Sequence, residues 1–135
     1  MGSTVRRGGW NEPVAFSIDT VYLADGIASV LVTGESDLYT APELKIALGH
    51  LVEDGYSRLV VDLTPATFVD STTLGVLIGA SRRARAAGGG LAIVCRDAGI
   101  RKIFEITLLD RVFGIHDSHG AAVRALRRGN DDEQS

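Results

Sequence analysis

The sequence is poor in everything that staples, anchors or strongly charges a small protein. Its one cysteine, Cys95, excludes an internal disulfide and any metal site built from cysteines. No apolar run approaches the ~20 residues needed to cross a bilayer, and the N-terminus lacks an apolar signal core. Positive charge is not in excess either. Fourteen Lys and Arg face 17 Asp and Glu, a formal net charge of −3, so nothing provides the basic face that nucleic acid requires. These absences point to a soluble, cytoplasmic protein that engages neither nucleic acid nor membrane, and that carries no metal or other cofactor.

What is present is enough for one domain. The chain has 135 residues, 45% of them hydrophobic, so it can bury a core without staples. Residues 1–13 have glycine, charge and no periodicity, and read as a flexible arm carrying Trp10. Residues 129–135, GNDDEQS, read as a disordered polar tail. Between them, Ala15 to Leu23 and Ile27 to Gly34 are rich in β-branched residues and meet across Ala24-Asp25-Gly26, a good hairpin signal.

Gly34 to Tyr39 reads as a polar loop carrying Glu35 and Asp37. Thr40 opens a helix, with Glu43 three residues later as its capping-box partner and Pro42 in the first turn. Leu44, Leu48, Leu51 and Val52 share one face of it, and Gly55 ends it. Arg58 to Leu63 is a buried strand, parallel to the strand ending at Gly34 because a crossover helix joins them. A second helix begins at Ser71 with Leu74, Leu77, Ile78, Ser81 and Ala84 on one stripe, and ends at Gly88-Gly89-Gly90. Leu91 to Cys95 is another buried strand. Asp97 caps a short helix with Ile100, Ile103 and Phe104 inward. Val112 to Ile115 is a short edge strand, and Ser118 caps a last helix with Val123 and Leu126 inward. The alternation of strands and helices argues an α/β domain, in which ligands and partners meet the loops at the carboxyl ends of the strands. Two such loops stand out, Glu35 to Thr40 and Thr64 to Thr73. If their strands are parallel neighbours, Asp37 and Ser71 share a rim.

Ser71 lies at the mouth of a helix, where unpaired N–H groups and partial positive charge favour an anion. Spacing alone also fits a helix cap, made by Asp70 or by Ser71. A nucleophilic serine is disfavoured, since no Gly-x-Ser-x-Gly elbow is present and no spacing ties His50, His116 or His119 to Ser71. Glu35, Asp37, Asp62 and Asp70 suggest a phosphoacceptor aspartate of the receiver type. The N-terminal hairpin, and the lack of a lysine after a late strand, argue against it. Arg82-Arg83-Arg85 and Arg124-Arg127-Arg128 read as solvated helix ends, and Gly88-Gly89-Gly90 as a helix stop with no Gly-Lys-Ser after it. Cys95 reads as a packed thiol.

Three segments resemble the STAS domain in its bacterial anti-sigma factor antagonist branch. Gly34-Glu35-Ser36-Asp37-Leu38-Tyr39-Thr40-Ala41-Pro42-Glu43-Leu44 is similar to the family's Gly-Glu-x-Asp…Thr-Ala-x-x-Leu segment. Phe68-Val69-Asp70-Ser71-Thr72-Thr73-Leu74-Gly75-Val76-Leu77 is similar to its Asp-Ser-[Ser/Thr]-Gly-Leu-Gly signature, and Leu108 to Ile115 resembles its late segment. The resemblance covers about Val14 to Leu126. It implies a STAS-like domain over 14–128, a mixed sheet of about four to five strands with the N-terminal antiparallel hairpin and about four helices.

The resemblance further implies a binding protein and not an enzyme. Its partner would be an anti-sigma factor that is also an ATP-using serine kinase, and binding would release a sigma factor for transcription. The kinase would phosphorylate Ser71, with Thr72 as second choice, and the phosphoprotein would let go; a serine phosphatase would reset it. Glu35, Asp37, Asp70, Ser71, Thr72 and Thr73 would form the partner surface. The alternative is a STAS module that docks in a larger stress-signalling or lipid-transport assembly, or holds a small ligand, with no phosphate cycle. Two residues depart from the family pattern: Thr73 where glycine is frequent, and Ser36 where an apolar residue is commoner. The side chain of Thr73 is expected to crowd the helix start beside Ser71 and so affect kinase access or partner choice.

Overall fold

The hairpin that opens the domain follows from two residues with left-handed backbones. Asp25 and Gly26 have φ of 65° and 70°, the pair of positive values that matches a tight turn to strand twist. In the computed structural model, which describes residues 15–128, strand β1 (Ser17–Tyr22) thereby folds back antiparallel on β2 (Ile27–Ser36). The expected arm at 1–13 and tail at 129–135, with Trp10, lie outside the described residues.

From β2 the chain continues through α1 (Ala41–Glu53), β3 (Arg58–Asp62), β4 (Ala66–Val69), α2 (Ser71–Ala86), β5 (Gly90–Val94) and α3 (Ala98–Ile106). A single 3-10 turn, Leu109–Arg111, then leads to β6 (Gly114–His116) and α4 (His119–Arg127). The sheet order is β1-β2-β3-β5-β6, with β4 paired to the far end of β2, and every pairing except β1–β2 is parallel. The expected parallel relation of β2 and β3 is therefore present.

Strand alternation sends Ala28, Val30 and Val32 of β2, Leu59 and Val61 of β3, and Leu91 and Ile93 of β5 to one face. There they pack with Leu44 and Leu48 of α1, Leu77 and Ala84 of α2, and Ile100 and Phe104 of α3. The other face is covered by α4, whose Ala122 and Leu126 meet Ile27, Val60, Ala92 and Val94. Of the residues expected inward, Val52, Ile78, Ile103 and Val123 are only partly buried.

Four local expectations are corrected. The sheet has six strands, not about four to five, because the stretch read as a loop from Thr64 to Thr73 contains β4. That strand is four residues long, and its ladder runs only against the end of β2. For the same reason β2 extends past Gly34, so Glu35 and Ser36 are strand residues. The register shifts between Gly34 and Glu35, with the extra residue, Thr67, on β4; Gly34 itself has φ of 86°, a backbone that a side chain would strain. The Thr40–Glu43 capping box does not form. Asp37 supplies the acceptor instead, its carboxylate receiving the N–H of Tyr39 at 3.0 Å and of Thr40 at 3.2 Å. Finally, the edge strand begins at Gly114, because the 3-10 turn and buried Phe113 occupy the preceding residues. The caps expected from Asp97 and Ser118 are present, each accepting an N–H three residues on.

Candidate functional site

The two strand ends that matter are hydrogen-bonded neighbours. Ser36 of β2 lies opposite Val69 of β4, and the Asp70 N–H donates to the Ser36 carbonyl at 3.2 Å. Asp37 and Asp70–Ser71 therefore leave the sheet side by side, and the shared rim foreseen for Asp37 and Ser71 is built.

At the start of α2 the capping work falls to one residue. Asp70 is extended, and its Oδ1 accepts the Thr73 N–H at 3.1 Å, an arrangement worth about 1 kcal/mol. Ser71 is thereby left over. It is the first helical residue, it is exposed, and its hydroxyl makes no hydrogen bond among the described residues. The N–H groups of Ser71 and Thr72 likewise have no acceptor among those residues. The site thus combines a solvent-facing hydroxyl, two free amide donors and the positive end of a 16-residue helix.

Thr73 does not crowd this surface. It is fully buried, and so is Ser36. The Thr73 hydroxyl donates to the Ser36 carbonyl at 2.9 Å, which leaves the Ser36 hydroxyl to donate back to Thr73 Oγ1 at 2.7 Å. The two departures from the family pattern are therefore one structure: a buried hydroxyl pair that ties the end of β2 to the first turn of α2. Without the Thr73 hydroxyl, that of Ser36 would be buried with no partner, whereas Thr73 alone would still donate to the Ser36 carbonyl.

The remaining candidates are distributed around the rim. Glu35 is exposed near the end of β2, and Thr72 is half-buried. Asp37 is fixed by the turn it caps, with Thr40 Oγ1 accepting the Asp37 N–H at 2.8 Å and donating to the Glu35 carbonyl at 3.1 Å. Three residues that sequence reasoning passed over complete the surface: Leu38 is 60% exposed, Tyr39 87% and Phe68 47%. Leu38 and Tyr39 follow Asp37 directly, and Phe68 opposes Glu35 in the ladder. Large apolar side chains held in water around a polar centre are suited to protein contact. Their signal was a leucine and a tyrosine inside an otherwise polar loop.

Other titratable groups lie away from this site. His119 Nε2 pairs with Ser29 Oγ at 2.9 Å under α4, and His50 is exposed on α1. His116 ends β6 with Nε2 buried and unpartnered; burial lowers its pKa, against an opposing pull from Asp117. Burial pushes the Cys95 thiol up, which keeps it an inert packed thiol. Two arginines of α2 make structural contacts: Arg83 lies 3.6 Å from Glu53, and Arg85 donates to the Val112 carbonyl at 2.9 Å. Asp62 accepts the Thr64 N–H in a local turn. No helix among the described residues is long and apolar enough to cross a membrane.

Comparison with known proteins fits this geometry. The model of the STAS domain family matches residues 20–122. An anti-sigma-B factor antagonist of Listeria monocytogenes is 37% identical over 92 residues, covering 67% of this chain and 80% of that protein. The anti-sigma-F factor antagonist RsfB of Mycobacterium tuberculosis is 31% identical over 115 residues, covering 84% and 93%. The crystal structure of an anti-sigma factor antagonist from Mycobacterium paratuberculosis aligns with a TM-score of 0.73 at 33% identity, covering 82% of this chain and 95% of that one. With the Asp70-Ser71 helix start and the hairpin-led mixed sheet in place across the matched residues, this chain belongs to the STAS domain family.

Proposed function

We propose that this protein is an anti-sigma factor antagonist whose partner is an anti-sigma factor with serine kinase activity, and that phosphorylation of Ser71 ends the interaction. Similarity to proteins named anti-sigma factor antagonists supports the first half. The observation that carries the second half is the division of labour at the helix start: Asp70 caps α2, so the exposed Ser71 hydroxyl is free to react without loss of a structural hydrogen bond. Partner binding uses the rim of Glu35, Asp37, Asp70, Ser71 and Thr72 with Leu38, Tyr39 and Phe68 around it. Thr73 acts from beneath, through Ser36.

A phosphate adds about −1.5 to −2 charges and three acceptor oxygens. Within the domain, the free amides of Ser71 and Thr72 and the helix dipole accommodate that charge, so the fold has no reason to change. Across the interface the same charge lies beside Asp37 and Asp70, and must be desolvated against the partner. Release is therefore local electrostatics, and a serine phosphatase that removes the group restores binding.

The test is to incubate the full chain with its anti-sigma kinase and Mg-ATP, and to map phosphate by mass spectrometry. Phosphate on Ser71, none on the Ser71→Ala protein, and a Ser71→Asp protein that keeps its circular dichroism while losing the partner are the expected results. Phosphate landing on Thr72 in the wild type would move the site. Tight partner binding with no phosphate on any residue would support the docking-module alternative.

A further inference from the structure

We propose that the cleft between α1 and α2 is a binding site for a small organic carboxylate with an aliphatic body. The cleft has a volume of about 310 Å³, at the lower end of the range of small-molecule sites. Leu48 and Ala80 are its buried floor, and Val52 and Val76 its partly buried sides. Such a lining accepts a hydrocarbon chain.

The upper surface of α2 is bare where the cleft runs. Gly75 and Gly79, one helical turn apart, are both exposed, and a Cβ built on either would meet no atom within 4 Å. Close helix packing therefore does not require them. Glycine inside a helix is unfavourable, and what these two gain in return is open space along the cleft.

Charge decides the ligand class. Lys45 of α1 lines the cleft, as does Thr72 of α2, and makes no hydrogen bond or ion pair among the described residues. Arg83 also lines the cleft but is engaged: it passes over Gly49 of α1, where a Cβ would lie 2.7 Å from its Nη1, and lies 3.6 Å from Glu53. One free ammonium on the wall of an apolar cleft matches one carboxylate on an aliphatic chain. The site stands apart from the phosphorylation reading, because its test contains no kinase.

Decanoate is the probe, titrated into the isotopically labelled full chain and followed by amide chemical shifts. Saturable shifts at Gly49, Gly75, Gly79 and Thr72 are expected. Gly79→Leu fills the cleft from an exposed position and should weaken binding at least about tenfold while thermal stability holds; Lys45→Glu should weaken it similarly. Decyltrimethylammonium, with the opposite charge, should not compete. Absence of saturable shifts at millimolar decanoate would overturn the proposal, as would full affinity in folded Gly79→Leu or Lys45→Glu protein, or equal binding of the cationic amphiphile.

Discussion

The buried Ser36–Thr73 pair makes a quantitative prediction, because its two hydroxyls do not lose the same thing when one is removed. Thr73→Val keeps the branched shape and deletes both hydrogen bonds, the 2.9 Å bond to the Ser36 carbonyl and the 2.7 Å bond to its hydroxyl. The carbonyl is still served by the Asp70 N–H at 3.2 Å. The Ser36 hydroxyl is not, and it stays fully buried. Two bonds at about 1 kcal/mol each and a partly compensated orphan put the loss near 3 kcal/mol. Ser36→Ala is milder. Thr73 can still donate to the carbonyl, so one bond disappears and no donor is stranded, for about 1 kcal/mol.

The double variant Ser36→Ala/Thr73→Val loses the same two bonds as Thr73→Val but strands nothing, so it should be destabilised by only about 2 kcal/mol, about 1 less than Thr73→Val alone. Independent sites would instead sum to about 4 kcal/mol, so the cycle should return a coupling of about 2 kcal/mol. Urea unfolding of the four proteins measures this, provided the slopes agree. If the double variant matched the sum of the singles within about 0.5 kcal/mol, the hydroxyls would not form a coupled pair and the reasoning would fail.

Three further outcomes follow from the same structure. Asp70→Ala should lose about 1 kcal/mol in urea unfolding and Ser71→Ala less than about 0.5, since only Asp70 accepts the Thr73 N–H; equal losses would mean the cap is shared. Gly79→Ala should raise stability by about 0.5–1 kcal/mol by thermal unfolding, and a loss would show that the open space over α2 is needed by the fold. His116 has its folded pKa lowered by burial, so the unfolded chain binds more protons below 6.5. Its contribution is thus fully present above pH 6.5 and fades as pH falls toward the folded value. His116→Gln should shrink the stability drop between neutral and mildly acid pH, whereas parallel pH curves for the two proteins would remove His116 from the account.

The legibility of the fold tracks how local each signal is. Asp25-Gly26 announces its turn within two residues, and the caps at Asp97 and Ser118 within three; all three were readable. β4 was not, because four residues after Pro65 carry no usable period and their order comes from the end of β2, some thirty residues away in sequence. Thr40 and Glu43 satisfy the capping-box pattern, yet Asp37, slightly earlier, already holds the Tyr39 and Thr40 amides; two local signals competed and the shorter turn won. Thr73 was misread although its period was available. It precedes Leu77 by four residues and Ala80 by seven, both inward positions of α2. Ser36 follows Val30 and Val32 at even spacing along β2, which also points inward once the strand is known to continue. Apolar-only counting hid both.

That pair also explains why the rim tolerates an unusual helix start. The corner is closed by two hydroxyls that satisfy each other and the Ser36 carbonyl. A serine at 36 without Thr73 would bury an orphan hydroxyl, whereas together the two leave nothing in the interior unpaired. The exchange takes place below the surface, so it leaves Asp70 as the cap and Ser71 exposed, and it adds a second tie between the strand that presents Asp37 and the helix that presents Ser71. A charge placed on Ser71 would then sit on a rim tied at two points, where the proposed switch acts on whatever is bound before it can act on the fold.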